Sequence, residues 1–150
     1  MLSLASRDRG EVPILFQLLI YPMLDDRTGS TIRVPEHVGT FIWTAAANRF
    51  AWTAFLGMPA GSSAVPEGSV PARVHNLRGL PPTYIGVGSL DLFANENIEF
   101  ARRLMAAGVP TELHVAPGAY HGFFFLVPEA VVSRRFSESF NAALAKALAV

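Results

Sequence analysis

Apolar positions along the chain fall into two patterns. Ile14 to Tyr21 is a nearly continuous apolar run closed by Pro22, the pattern of a strand buried on both faces. Thr83 to Val87 repeats it after Pro81 and Pro82, which deny a helix start, and Thr111 to Gly118 is a third such run. Between the second and third runs, Ile98, Ala101, Leu104 and Met105 recur at helical spacing, with Glu96, Glu99, Arg102 and Arg103 on the other side. This predicts an amphipathic helix from Glu96 to Ala107, capped by Asn95, braced by a Glu99–Arg103 pair and stopped by Gly108 and Pro110.

Two more helices follow from the same spacing. One runs from Pro128 or Ala130 to Leu148, with Phe136, Phe140, Leu144 and Leu148 as its buried stripe. The other covers Phe41 to Leu56 and carries Trp43, Phe50, Trp52 and Phe55, most simply core residues. Turn-rich connectors flank it, and there is no internal repeat. Buried-type strands alternating with helices give an α/β fold: a mostly parallel sheet flanked by helices, with a right-handed crossover between the second and third strands. The first strand arrives a dozen residues in, with an unpaired sheet edge. "MLSLASRDRG" before it reads as the tail of a helix without its start, so the chain is expected to be cut at the front.

Composition narrows the function classes. Apolar residues make up 51% and charged residues 16%, a greasy balance that fits an incomplete domain or a covered surface. Lys plus Arg and Asp plus Glu number 12 each, and no basic cluster interleaves with aromatics, which disfavours nucleic-acid binding. The longest apolar runs are too short to span a bilayer, and the charged N-terminus lacks the apolar stretch of a signal peptide. The absence of cysteine fits a reducing compartment, and a cytoplasmic location is expected.

In open parallel sheets, reactive groups gather beyond the carboxyl ends of strands. Two loops qualify here. "GSLD" places Asp91 four residues after Val87, and "PGAYHG" places His121 beyond the third strand. The intervening helix returns the chain to the same end, so the two can meet: an Asp accepting the Nδ1 proton of a His leaves Nε2 as a base. Plainer roles compete, a packed or solvated ring for His121 and a helix-starting carboxylate for Asp91. Ser89 and Gly88 serve the turn, and Gly86 with Gly88 lacks the third glycine of a dinucleotide fingerprint. His37, His75 and His114 have no ligand-spaced partner, so neither metal nor cofactor is expected.

The stretches "RDRGEVPILFQLLIYPMLDDR", "GLPPTYIGVGSLDLF" and "ARRLMAAGVPTELHVAPGAYHGF", with the terminal helix, closely resemble the carboxyl-terminal half of α/β-hydrolases of the hormone-sensitive-lipase-like carboxylesterase family. The resemblance implies that Asp91 is the acid and His121 the base of a Ser-Asp-His triad acting on a small-molecule ester, in the order Ser, acid, His. It also implies that the Phe41–Leu56 region contributes cover over the site, one or two of its aromatics lining an acyl pocket. Where the family usually has Asp and Glu after the triad acid, this chain has Asn95 and Glu96. The family's HGG oxyanion loop and G-x-S-x-G nucleophile elbow are not among these residues; "GSS" at Gly61 to Ser63 and "GVGSLD" at Gly86 to Asp91 both fail the spacing.

Residues 1–150 are therefore expected to form a partial α/β-hydrolase domain, inactive alone, with the serine expected a few turns ahead of Met1. The alternative is a non-catalytic interaction module that kept half a fold. Either form is expected to self-associate through its exposed sheet edge. The family's carboxyl-terminal strand and helix also make a homodimer contact plausible by resemblance.

Overall fold

A computed structural model describes residues 1–149 of the chain. Three parallel strands, β1 (Gln17–Ile20), β2 (Thr83–Gly88) and β3 (Thr111–Ala116), lie in the order β1-β2-β3, with Gln17 opposite Thr83 and Thr83 opposite Thr111. Helix α1 (Leu2–Arg9) precedes the sheet and ends at Gly10 in the left-handed region. Between β1 and β2 come α2 (Ala45–Leu56) and a single 3₁₀ turn at Pro71–Arg73. Helix α3 (Ala94–Ala106) joins β2 to β3, and α4 (Phe123–Leu126) and α5 (Val131–Leu148) close the described chain.

All six residues of β2 are buried, because it alone among the described strands has a strand on each side and helices over both faces. Ile85 packs into an apolar cluster with Phe100, Ala101 and Leu104 of α3. The opposite face receives α5: a Cβ on Gly86 would stand 2.8 Å from the Phe136 ring, so glycine there lets that ring lie on the strand. The expectation that the first and third strands are buried on both faces does not hold. β1 is half-buried throughout, and of the six residues of β3 three are half-buried, two exposed and one buried, since each strand has one strand neighbour among the described residues.

The expected helices form, with corrections that share one cause: the docking partner, not the periodicity, selects the buried face. Helix α3 buries Phe100, Ala101 and Leu104 but also Glu96 and Asn97, while Ile98 and Met105 are exposed. Asn97 Nδ2 donates to the Pro22 carbonyl (2.8 Å), and the backbone N–H of Leu24 donates to Glu96 Oε1 (2.6 Å). These bonds turn two polar side chains inward against the segment after β1. Asn95 is no cap; Phe93 holds that position without a side-chain bond. Glu99 pairs with Arg102 at i,i+3, and Arg103 instead donates to the carbonyls of Ala72 and Val74. Helix α2 starts at Ala45, where Thr44 Oγ1 accepts the Ala47 N–H (3.3 Å). Of the aromatics expected in the core there, Trp52 is buried and Phe50 and Phe55 are exposed. In α5, Phe136 is buried, whereas Leu148 is exposed in the last turn.

Candidate active site

The carboxyl ends of β2 and β3 adjoin, and the loops leaving them are laced together. Ser89 N–H donates to the Ala116 carbonyl, Leu90 N–H donates to the Ala119 carbonyl, and Gly118 N–H donates to Ser89 Oγ (2.8–2.9 Å each). This contact requires Gly88. A Cβ there would stand 2.2 Å from the Ala119 carbonyl oxygen, which is inside any real contact. Ser89, expected only to make a turn, also ties the two loops.

The lacing brings Asp91 and His121 together, with Asp91 Oδ2 lying 2.9 Å from His121 Nδ1. Asp91 is fully buried, and its other oxygen accepts the Phe93 N–H (3.0 Å) at the start of α3. One oxygen thus faces the imidazole and the other the backbone just ahead of α3. A carboxylate only accepts, so the contact puts the imidazole proton on Nδ1 and leaves Nε2 bare, able to take a proton. The ring remains partly accessible, its side chain 16% exposed.

Three aromatic rings surround the imidazole: Tyr21 (ring centroids 4.3 Å apart), Phe93 (5.5 Å) and Trp43 (5.7 Å). The sequence pattern does not mark Tyr21 or Phe93 as site residues, although Tyr21 directly follows β1 and Phe93 lies two positions beyond Asp91. Tyr21 turns the chain with a positive φ of 38°, an uncommon conformation for a non-glycine residue. Burial and the neighbouring Asp91 charge push the Tyr21 hydroxyl above its ordinary pKa, so it stays protonated near neutrality. Trp43 follows Ile42, which has φ 62° and is exposed. Of the α2-region aromatics, Trp43 is the one that reaches the histidine.

A different buried carboxyl escaped the sequence pattern. Glu96 Oε1 accepts from the N–H groups of Leu24 and Asp25 (2.6 and 3.3 Å), while Oε2 has no hydrogen-bond partner. Burial pushes its pKa up to about 8. The Thr28 hydroxyl opposes the rise but falls short of hydrogen-bond geometry, and the Asp25 charge adds to it. Glu96 lines a cleft of about 740 Å³, which contains neither Asp91 nor His121. Among the described residues, no group of three or more His, Asp or Glu side chains converges as metal ligands would, and no helix is long and apolar enough to cross a membrane.

A family model described as the alpha/beta hydrolase fold matches residues 1–125. Esterase LipI of Mycobacterium tuberculosis is 35% identical over 122 residues, an overlap of 79% of this chain and 36% of that protein. Among solved structures, a bacterial heroin esterase superposes with a TM-score of 0.83 at 36% identity, covering 99% of this chain and 47% of its own. Esterase LipW from Mycobacterium marinum gives 0.81 at 38% identity, covering 99% and 46%. The chain thus spans less than half the length of each of these relatives.

Proposed function

Because the chain belongs to the α/β-hydrolase fold family, we propose that it supplies the acid and the base of a Ser-Asp-His triad that hydrolyses carboxylic esters of small molecules. The observation that carries this is the 2.9 Å contact between a fully buried Asp91 and the Nδ1 of a partly accessible His121, at adjacent carboxyl ends of parallel strands. Asp91 holds the imidazole in the tautomer with a bare Nε2 and stabilises the imidazolium that forms. His121 Nε2 takes the proton of a serine hydroxyl as that oxygen attacks the ester carbonyl, then returns it to the leaving alcohol. In the second half it takes a proton from a water that attacks the acyl-serine carbonyl and passes that proton to the serine oxygen as the acyl–oxygen bond breaks, which releases the acid and restores the serine. The tilted rings of Tyr21 and Trp43 and the edge-on ring of Phe93 limit how far the imidazole can swing.

No serine of residues 1–150 stands in a G-x-S-x-G elbow. The nucleophile and the oxyanion donors therefore belong to polypeptide outside this partial domain, which alone is inactive. On the same proposal the protein works in the cytoplasm, consistent with its lack of cysteine. Alone, it self-associates through the half-buried edge strand β1, possible homodimers included. The esterase relatives favour this function over a non-catalytic interaction module.

The test is hydrolysis of a p-nitrophenyl acyl ester. The 150-residue chain should give no rate above buffer. A longer polypeptide carrying a G-x-S-x-G elbow ahead of these residues should turn the ester over and be labelled on that serine by an organophosphonate, and His121→Ala should abolish both. Turnover by the 150-residue chain itself would overturn the nucleophile assignment; full activity in the His121→Ala variant would overturn the triad.

A further inference from the structure

The segment that leaves β1 brings an aromatic ring to 4.3 Å from the His121 ring, measured between centroids, and does so from a conformation that large side chains seldom adopt. Tyr21 has φ 38°, and a backbone held there persists only where its surroundings over-determine it. The fixings lie on both sides. On the strand side, the Tyr21 N–H donates to the Gly86 carbonyl of β2 (2.6 Å). On the other side they come from the first turn of α3: Asn97 Nδ2 donates to the Pro22 carbonyl (2.8 Å), and Glu96 Oε1 accepts the N–H groups of Leu24 and Asp25. The Asn97 bond is the nearer of these to the turn, since Pro22 directly follows Tyr21. Proline has no N–H, so its carbonyl is the one backbone group through which that residue can be held.

Asn97 is fully buried, and its Oδ1 has no hydrogen-bond partner. A buried amide oxygen without a donor is costly, so merely filling the space between α3 and the exit of β1 would favour an apolar side chain. What the amide adds is a directed bond to one carbonyl. Its consequence lies at the imidazole. The single contact from Nδ1 to Asp91 leaves the His121 ring free to rock about it, whereas a second ring packed beside it removes that freedom.

We propose that Asn97 is a positioning residue for His121: its bond to the Pro22 carbonyl holds Tyr21 in the left-handed turn that keeps the phenol ring beside the imidazole. The start of α3 thereby acts on His121 twice, directly through Asp91 and indirectly through Asn97 and Tyr21. The bearing on catalysis rests on His121 being the base of the triad; the ring contact itself does not.

Proton NMR of the 150-residue chain reads that contact. Cross-relaxation peaks between the Tyr21 and His121 ring protons are expected, and the His121 resonances should carry the ring-current shift of the phenol; Tyr21→Leu should remove both. Asn97→Ala should weaken the cross-peaks and move the His121 resonances in the direction that Tyr21→Leu moves them. In the Tyr21→Leu background it should move them little further, because its route is gone. A merely structural anchor would lower the urea midpoint and leave the His121 resonances in place, and that result would overturn the proposal. Should Asn97→Ala not fold, Asn97→Ser, whose hydroxyl is too short to span to the carbonyl, is read in the same way.

In an ester-hydrolysing polypeptide that contains these residues, Asn97→Ala should lower kcat about tenfold or more with little change in KM, since a misplaced base slows proton transfer and not ester binding. An unchanged kcat would also overturn the proposal. The two readings fail separately. A ring contact that answers to Asn97 while no longer polypeptide hydrolyses ester would leave the positioning standing and sink the triad. An active longer polypeptide whose ring contact is indifferent to Asn97→Ala would sink the positioning alone.

Discussion

Asp91, in the loop just ahead of α3, and Glu96, in its first turn, are both buried, and their surroundings leave them in opposite condition. Asp91 has one oxygen on a backbone N–H and the other on an imidazole that can carry positive charge. Glu96 has two backbone donors on one oxygen and, among the described residues, no hydrogen bond on the other and no ion pair. Burial alone therefore does not decide what a carboxyl group does. One with a titratable partner can steer a proton on that partner, whereas one without a partner keeps its own, as the rise of Glu96 to about 8 indicates.

The strongest way to break this contrast is to exchange each acid for its amide. In an ester-hydrolysing polypeptide containing these residues, Asp91→Asn should lower kcat on the order of ten-thousandfold, the loss known when a triad carboxylate becomes an amide and the wrong tautomer is favoured. Glu96→Gln should leave kcat within severalfold of the parent. Equal losses in the two variants, measured as initial rates, would erase the distinction.

Gly88→Ala attacks the support under Asp91. A methyl group cannot fit 2.2 Å from the Ala119 carbonyl oxygen, so the laced loops must separate at a cost of about 3 kcal/mol or more. Urea unfolding should register that loss as a lower midpoint. On the Glu96 side the sign is opposite. Its folded pKa of about 8 exceeds the ordinary 4.5, so the folded state holds a proton that the unfolded chain releases. Stability contributed by this group is thus complete below the unfolded value and declines as pH rises through the folded one, by roughly 3 kcal/mol at neutrality. Glu96→Gln should remove most of that decline, giving a Tm that falls less than the parent's between about pH 5 and pH 8. The smallest effect is expected at the neighbouring polar anchor: Asn97→Ala removes the bond to the Pro22 carbonyl and should cost about 1–2 kcal/mol in the same assay.

The legible parts of the fold were those fixed by local chemistry. Proline-bounded apolar runs mark the three strands, and the rule that reactive groups sit beyond strand ends brings Asp91 near His121 from the sequence alone. What stayed hidden depends on docking. Glu96 and Asn97 looked like the solvent side of α3 because nothing in their spacing reveals the backbone of Pro22 to Asp25 lying against them. Ile98 and Met105 looked buried for the same reason. Tyr21 reaches His121 through a left-handed turn at a residue type that seldom adopts one. Phe50 and Phe55 show the limit of aromatic content as a guide to the core, since Trp52 fills it from the same helix while they face outward.

Nitrogen-15 NMR of the His121 ring reports the tautomer on which the whole contrast rests. In the neutral ring, Nδ1 should carry the hydrogen and Nε2 should be bare, because a carboxylate 2.9 Å away can only accept. Asp91→Asn should reverse or mix the two states. A neutral His121 protonated on Nε2 in the parent chain, or a ring spectrum unchanged by Asp91→Asn, would contradict the assignment of Asp91 as the group that makes His121 a base.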